Sequence, residues 1–171
     1  MGDIERSTRT VKEHTQCHIH HLPYKRYPIE MVCGCVIKLV KELNCVVSNN
    51  GVSKDLTPGT LVTGVPGPSY KEIMKLNFGD YMHAHLSAET TNTNEPRTTG
   101  YIALYPANGA QDSWYFMSLV TGKRIHRYQW TVLLISKEVL ARVNTIAIRE
   151  KQPLVASNFK YQWSLMVTRL A

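Results

Sequence analysis

Between residues 51 and 70 the chain reads GVSKDLTPGTLVTGVPGPSY, and this stretch separates two hydrophobic periods that no single element can satisfy. Pro58-Gly59, Gly64 and Pro66-Gly67-Pro68 preclude a long regular element there. Upstream, Val32, Val36, Leu39, Leu43 and Val47 keep near-helical spacing, so Ile29 to Val47 is expected to be a packing helix with Lys38, Lys41 and Glu42 facing away. Downstream the pattern is short alternation: Phe78, Asp80, Met82, Ala84 and Leu86 against Tyr81, His83 and His85, then Tyr101, Ala103 and Tyr105 against Ile102 and Leu104. The expected fold class is therefore α+β. The expected division is a helical unit at 1–50, a linker at 51–74, a β-rich unit with a terminal helix at 75–151, and a tail at 152–171.

Within the helical unit, residues 3 to about 19 predict a first helix with Asp3 as N-cap. Pro23 and Pro28 bracket a basic connector, LPYKRYP. Gly34 interrupts the second helix, where glycine costs about 1 kcal/mol relative to alanine. The Asn49-Asn50-Gly51 turn ends that helix. Downstream, Ser87 to Thr99 is expected to be a solvated polar loop. SWYFMSL and RIHRYQWTVL flank a glycine-containing turn, Val120-Thr121-Gly122-Lys123, and predict a β-hairpin. Several short antiparallel strands suggest a small barrel, closed to protect its edges, with Trp114, Phe116 and Trp130 mainly in its core. Ser136 to about Lys151 predicts a capped final helix with Val139, Leu140, Val143 and Ile146 on one side.

The 171 residues carry twenty Lys plus Arg against thirteen Asp plus Glu, a net +7, which favours polyanionic partners. Two segments could hold one. In GDIERSTRTVKE (2–13), Glu5, Arg9 and Lys12 stand at i, i+4 and i+7 and share one helical stripe. A carboxylate there could ligate Mg²⁺ while the cations hold a nucleic-acid backbone; the same spacing equally describes an ordinary solvated stripe. In the hairpin, Lys123, Arg124 and Arg127 accompany His126 and Tyr128, pairing phosphate contacts with aromatic stacking. The alternative is that the aromatics fill a core and the cations are merely solvated. Lys25 and Arg26 add positive charge to the connector. Cys17, Cys33, Cys35 and Cys45 lie near several histidines, but one residue separates Cys33 from Cys35 where structural zinc sites usually have two to four, and Cys33 and Cys45 fall in an apolar pattern. No apolar run approaches the ~18 residues of a membrane span and the N-terminus lacks a signal-peptide core, so an intracellular protein with reduced thiols is expected.

The string GDIERSTRTVKE resembles the last catalytic helix of retroelement integrases. LPYKRYP, NGVSKDLTPGTLVTG (50–64), FGDY (78–81), EPRTTGYIALYP (95–106) and SWYFMSLVTGKRIHRYQWTVL (113–133) resemble the copia-type integrase region of retrotransposon Pol polyproteins, over residues 2 to about 163. The resemblance implies two helices from the end of an RNase H-like catalytic core, then an SH3-like C-terminal barrel. It makes Glu5 the third member of an Asp, Asp, Glu triad that holds two Mg²⁺ ions for strand transfer, and places both aspartates upstream of the residues present here. It also places the family's zinc module N-terminal to the core. DNA is the implied partner, as retroelement ends and target, with the missing integrase half or a homo-oligomer beside it, in the nucleus or a virus-like particle. With one of three catalytic carboxylates, this chain alone is expected to bind nucleic acid through Arg9, Lys12, Lys25, Arg26, Lys123, Arg124, Arg127 and Tyr128 rather than to catalyse. A non-enzymatic nucleic-acid or protein interaction module and a decayed gene fragment remain the competing expectations.

Overall fold

In the computed structural model the described residues are 2–47, 51–66, 71, 74–85, 98–107 and 113–154. The Asn49-Asn50 turn, Leu86 with the tract through residue 97, the tail beyond 154 and the Asp3 side chain lie outside them. Helix α1 (Gly2–His21) leads through the connector to α2 (Ile29–Cys45). A six-residue α3 (Pro58–Thr63) follows, with Thr57 accepting from the Thr60 amide and Gly64 closing it at φ 68°. Strands β1 (Tyr81–His85), β2 (Thr98–Pro106), β3 (Trp114–Ser118), β4 (Arg124–Arg127) and β5 (Trp130–Leu133) precede α4 (Lys137–Arg149). The final helix starts as its sequence predicts, the Ser136 hydroxyl accepting from the Val139 amide, and buries Val139, Val143 and Ile146.

All five strands form one antiparallel sheet in the order β4-β3-β2-β1-β5. Its edge strands are consecutive in sequence, joined by Tyr128 and Gln129. A flat sheet would hold those edges about 19 Å apart, four strand spacings. Three Cα steps, from Arg127 to Trp130, reach only about 11 Å. The sheet must therefore curl until its edges approach at that corner. A closed barrel was expected; among the described residues no ladder joins β4 to β5, because the chain turns the corner without a hairpin.

The curl makes two cores. Inside it, Leu76, Met82, Ala84, Tyr101, Ala103, Trp114 and Phe116 pack together, with Ile125 and Trp130 against them. Outside, Ile102, Leu104, Tyr105 and Met117 meet Tyr27, Met31 and Cys35 from the helical side and Val139 and Val143 from α4. Strand β2 is thus buried on both faces, and α2 covers one of them.

That position corrects the expected phase of α2. Its buried side is Met31, Gly34, Cys35, Lys38 and Leu39, while Val32, Val36 and Leu43 are half-buried and Val47 is exposed. Sheet and α1 flank the helix on different sides, so a single apolar stripe was the wrong template. Nor do Lys38, Lys41 and Glu42 all face away. Lys38 is 3 % exposed and its ammonium lies 2.5 Å from the Glu42 carboxylate, and Lys41 donates to the Pro106 carbonyl at 2.5 Å. Helix α1 begins at Gly2, which places Asp3 inside it rather than at its cap.

The connector is fastened rather than loose. The Tyr24 hydroxyl donates to the Gly79 carbonyl (2.8 Å), the Tyr27 hydroxyl to the Ile19 carbonyl (2.7 Å), and Arg26 to the Gln152 carbonyl. The Ile29 amide donates to the Glu150 carboxylate at 2.7 Å, tying α2 to the end of α4.

Candidate nucleic-acid interface

A row of neighbouring rings, tilted or edge-on to one another, crosses the outer side of the sheet at the β4 edge. Tyr105, Tyr115 and His126 occupy paired positions on β2, β3 and β4. Ring centroids are 5.0 Å apart from Tyr105 to Tyr115, 5.0 Å from Tyr115 to His126, and 4.9 Å from His126 to Tyr128. Such pairs add about 0.5–1.5 kcal/mol each beyond their burial. The row depends on an irregularity in the β2–β3 ladder between Ala103 and Tyr105. Strict alternation would send Tyr105 inward with Ala103; the extra residue lets Leu104 and Tyr105 both join the outer core.

Two cations lie on this row. The Arg124 guanidinium sits 5.2 Å from the Tyr115 centroid and donates to the Tyr105 hydroxyl at 2.6 Å. Lys41 of α2 lies 5.2 Å from the Tyr105 centroid. Burial lowers the Lys41 ammonium pKa and raises that of the Tyr105 phenol, so both groups are held partly out of water. Tyr128, 53 % exposed, ends the row with an accessible ring, and Lys123, next to Arg124 in sequence, is exposed at the other end of β4. The arrangement offers a planar face for a base and cations for a phosphate.

The hairpin's residues divide between two sides. Arg124, His126 and Tyr128 share the row, whereas Ile125 turns to the inner core and Arg127 stands opposite Trp114. Arg127 donates through Nη1 to the His126 carbonyl (2.9 Å), and its Nε is buried with no partner among the described residues, as is His126 Nε2. Trp130, which alternation would put beside Tyr128, instead packs inside against Phe116 (5.6 Å) and Trp114 (6.4 Å), because the corner at Tyr128-Gln129 resets the alternation. Gly122, at φ 75°, makes the preceding turn, and α4 clamps it: Arg142 donates to the Leu119 and Val120 carbonyls and Arg149 to that of Thr121.

The remaining sequence candidates sit on other elements. On α1, Arg9 pairs with Glu13 at 2.7 Å rather than with Glu5, and Lys12 lines a cleft of about 510 Å³ with Ser7, Thr8, Val11, Val36 and Val40. Lys25 is exposed, and Arg26 is engaged with Gln152. Glu5 is exposed, and among the described residues no three His, Cys, Asp or Glu side chains converge on a common point. A divalent ion needs several oxygen ligands at one point, and among the described residues no further carboxylate joins Glu5 in such a set. The four cysteines are free thiols; Cys35, the buried one, has its pKa pushed up to about 12 by burial.

Tyr105, Tyr115 and Lys41 escaped sequence reasoning. The period-2 pattern of β2 and β3 could have flagged Tyr115, but the ladder irregularity hid Tyr105 and the helix phase hid Lys41. Comparison with protein families, curated proteins and solved structures finds no match to this chain.

Proposed function

We propose that the chain binds nucleic acid through the β3–β4 hairpin, and that it derives from the end of the catalytic core and the SH3-like C-terminal domain of a copia-type retrotransposon integrase. The observation that carries the binding reading is the ring row from Tyr105 to Tyr128 with Arg124 laid on it. The exposed Tyr128 ring at the end of the row suits stacking by a base, and the neighbouring cations suit its phosphates. The net charge of +7 favours the same class of partner.

The SH3-like reading is supported by the strand order, with β1 pairing both with β2 of the β1–β2–β3–β4 meander and with the returning β5, and by the two-residue corner that carries the chain from one edge to the other. The RNase H-like origin of α1 and α2 rests on the sequence resemblance. In that reading the parent enzyme performs Mg²⁺-dependent strand transfer on retroelement ends and target DNA, in the nucleus or a virus-like particle. This polypeptide, with Glu5 alone of the three carboxylates, holds DNA and does not cut or join it. Fluorescence anisotropy with duplex and single-stranded oligonucleotides across a salt series tests the binding. Loss of affinity on removing Lys123 and Arg124 is the expected result, and unchanged affinity would refute it.

A further inference from the structure

Four nitrogen and sulfur donors share one face of α1: His14, Cys17, His18 and His21 stand at i, i+3, i+4 and i+7. At 3.6 residues per turn that stripe is centred roughly 120° around the helix from Thr15 and Ile19, the side chains α1 buries. All four are exposed, Cys17 is a free thiol, and among the described residues no hydrogen bond or ion pair engages any of them. Imidazole and thiolate are the donors that Zn²⁺ takes. We propose that this face binds one Zn²⁺ ion through Cys17, His18 and one of the two outer histidines, His14 or His21, with water in the fourth position.

The spacing sets the ligand number. Side chains three and four residues apart on a helix have Cβ atoms about 5–6 Å apart, so His14 faces both Cys17 and His18 across one turn, and His21 faces the same two from the next. Each outer histidine thus makes a triangle with Cys17 and His18 that is small enough to close on an ion. His14 and His21 are two turns apart, a rise of about 10.5 Å, and cannot both reach an ion that binds its ligands at about 2.0–2.3 Å. Cys17 and His18 belong to both triangles, and the outer histidines are alternatives. In their present rotamers the side chains do not converge; on an exposed face each can turn between staggered wells to meet the ion. Binding releases the Cys17 thiol proton to solvent, and the thiolate offsets one charge of the metal. The site lies toward the end of α1, where the last carbonyls carry partial negative charge and favour a cation. The spacing that counts against zinc at Cys33 and Cys35 concerns α2 and leaves this face untouched.

Titration of the metal-free full chain with Co²⁺, which takes the same ligands and reports on them by its absorption, followed by competition with Zn²⁺, tests this. One ion should bind per chain, with a sulfur-to-metal charge-transfer band that Zn²⁺ abolishes. Cys17→Ser should remove the band, and His18→Asn should weaken Zn²⁺ binding by about 10- to 100-fold or more, the range lost even when only a ligand's outer partner is removed. His14→Asn or His21→Asn alone should weaken it only about 2-fold, since one of two equivalent arrangements remains. The two together should weaken it as much as His18→Asn. Cys33→Ser with Cys45→Ser should leave band and affinity unchanged, and far-ultraviolet dichroism should show the helices intact in every variant. Absence of the thiolate band, a band that survives Cys17→Ser, undiminished affinity in the double histidine variant, or one ion per two chains would each overturn the proposal, the last by giving the ion to a pair of molecules.

Discussion

Gly34, in the middle of α2, rests directly on Leu104 of β2: a Cβ at position 34 would stand 3.0 Å from Leu104 Cδ2 and 3.1 Å from its Cβ. The glycine that weakens this helix in isolation is what lets it lie close against the sheet. Gly34→Val should destabilise the protein by about 1–3 kcal/mol through overpacking, despite valine's better helix propensity. Adding Leu104→Ala should recover part of that loss, because the two changes share one contact. Urea unfolding of the four chains checks the coupling, and additive effects would deny the close approach.

The buried pair Lys38–Glu42 makes an asymmetric prediction. Glu42→Ala leaves a nearly inaccessible ammonium without its carboxylate and should cost about 3–5 kcal/mol, whereas Lys38→Met with Glu42→Leu should be close to neutral. Thermal unfolding of both variants distinguishes them. Equal losses would mean that the pair contributes more than it costs to desolvate.

Stability should fall at alkaline pH. Burial raises the Tyr24, Tyr27 and Tyr105 phenols above their ordinary 10.0 and lifts the Cys35 thiol from 9.0 to about 12. These groups keep their protons longer folded than unfolded, so the stability is fully present below about pH 9 and is lost as pH rises toward 12. Lys41, lowered by burial, opposes this as a single group. Denaturant midpoints at pH 8 and pH 10.5 should differ accordingly, and Cys35→Ala should reduce the difference. A midpoint that rises would contradict the burial of these groups.

On the proposed integrase origin Glu5 is one of three metal-binding carboxylates, and residues 1–171 by themselves should show no Mg²⁺- or Mn²⁺-dependent end processing or strand transfer on labelled terminal-repeat DNA. Divalent-ion titration should be indifferent to Glu5→Gln. Activity that Glu5→Gln abolishes would mean that further acidic residues complete a site.

The fold's elements were legible because each carries its own period. Apolar spacing in residues 139–146 located α4, and Gly122 located the turn before β4. What escaped required two elements at once. The phase of α2 depends on having the sheet on one side and α1 on another, which a one-stripe pattern cannot encode. Lys38 was misread because it sits beside outward-facing neighbours in sequence, although Glu42 one turn later supplies its partner. Tyr105 changed sides through a ladder irregularity visible only in pairing with β3, and Trp130 through a corner that a continuous strand would not have made. The cations Lys123, Arg124 and Arg127 were visible as a cluster; that Arg124 alone of the three lies on the rings depends on which side each faces.

The most direct test of the binding account is the salt dependence of affinity for single-stranded and duplex oligonucleotides, measured by anisotropy on the intact chain and two variants. Lys123→Ala with Arg124→Gln should weaken binding to both and lower the slope of log K against log salt by ~1 per lost phosphate contact. Tyr128→Ala should weaken single-strand binding by about 1–3 kcal/mol with little change in slope, as stacking requires. If both variants remain folded, by near-ultraviolet dichroism, and bind with the affinity and slope of the intact chain, then the ring row and its cations are structural only and the hairpin is not the interface.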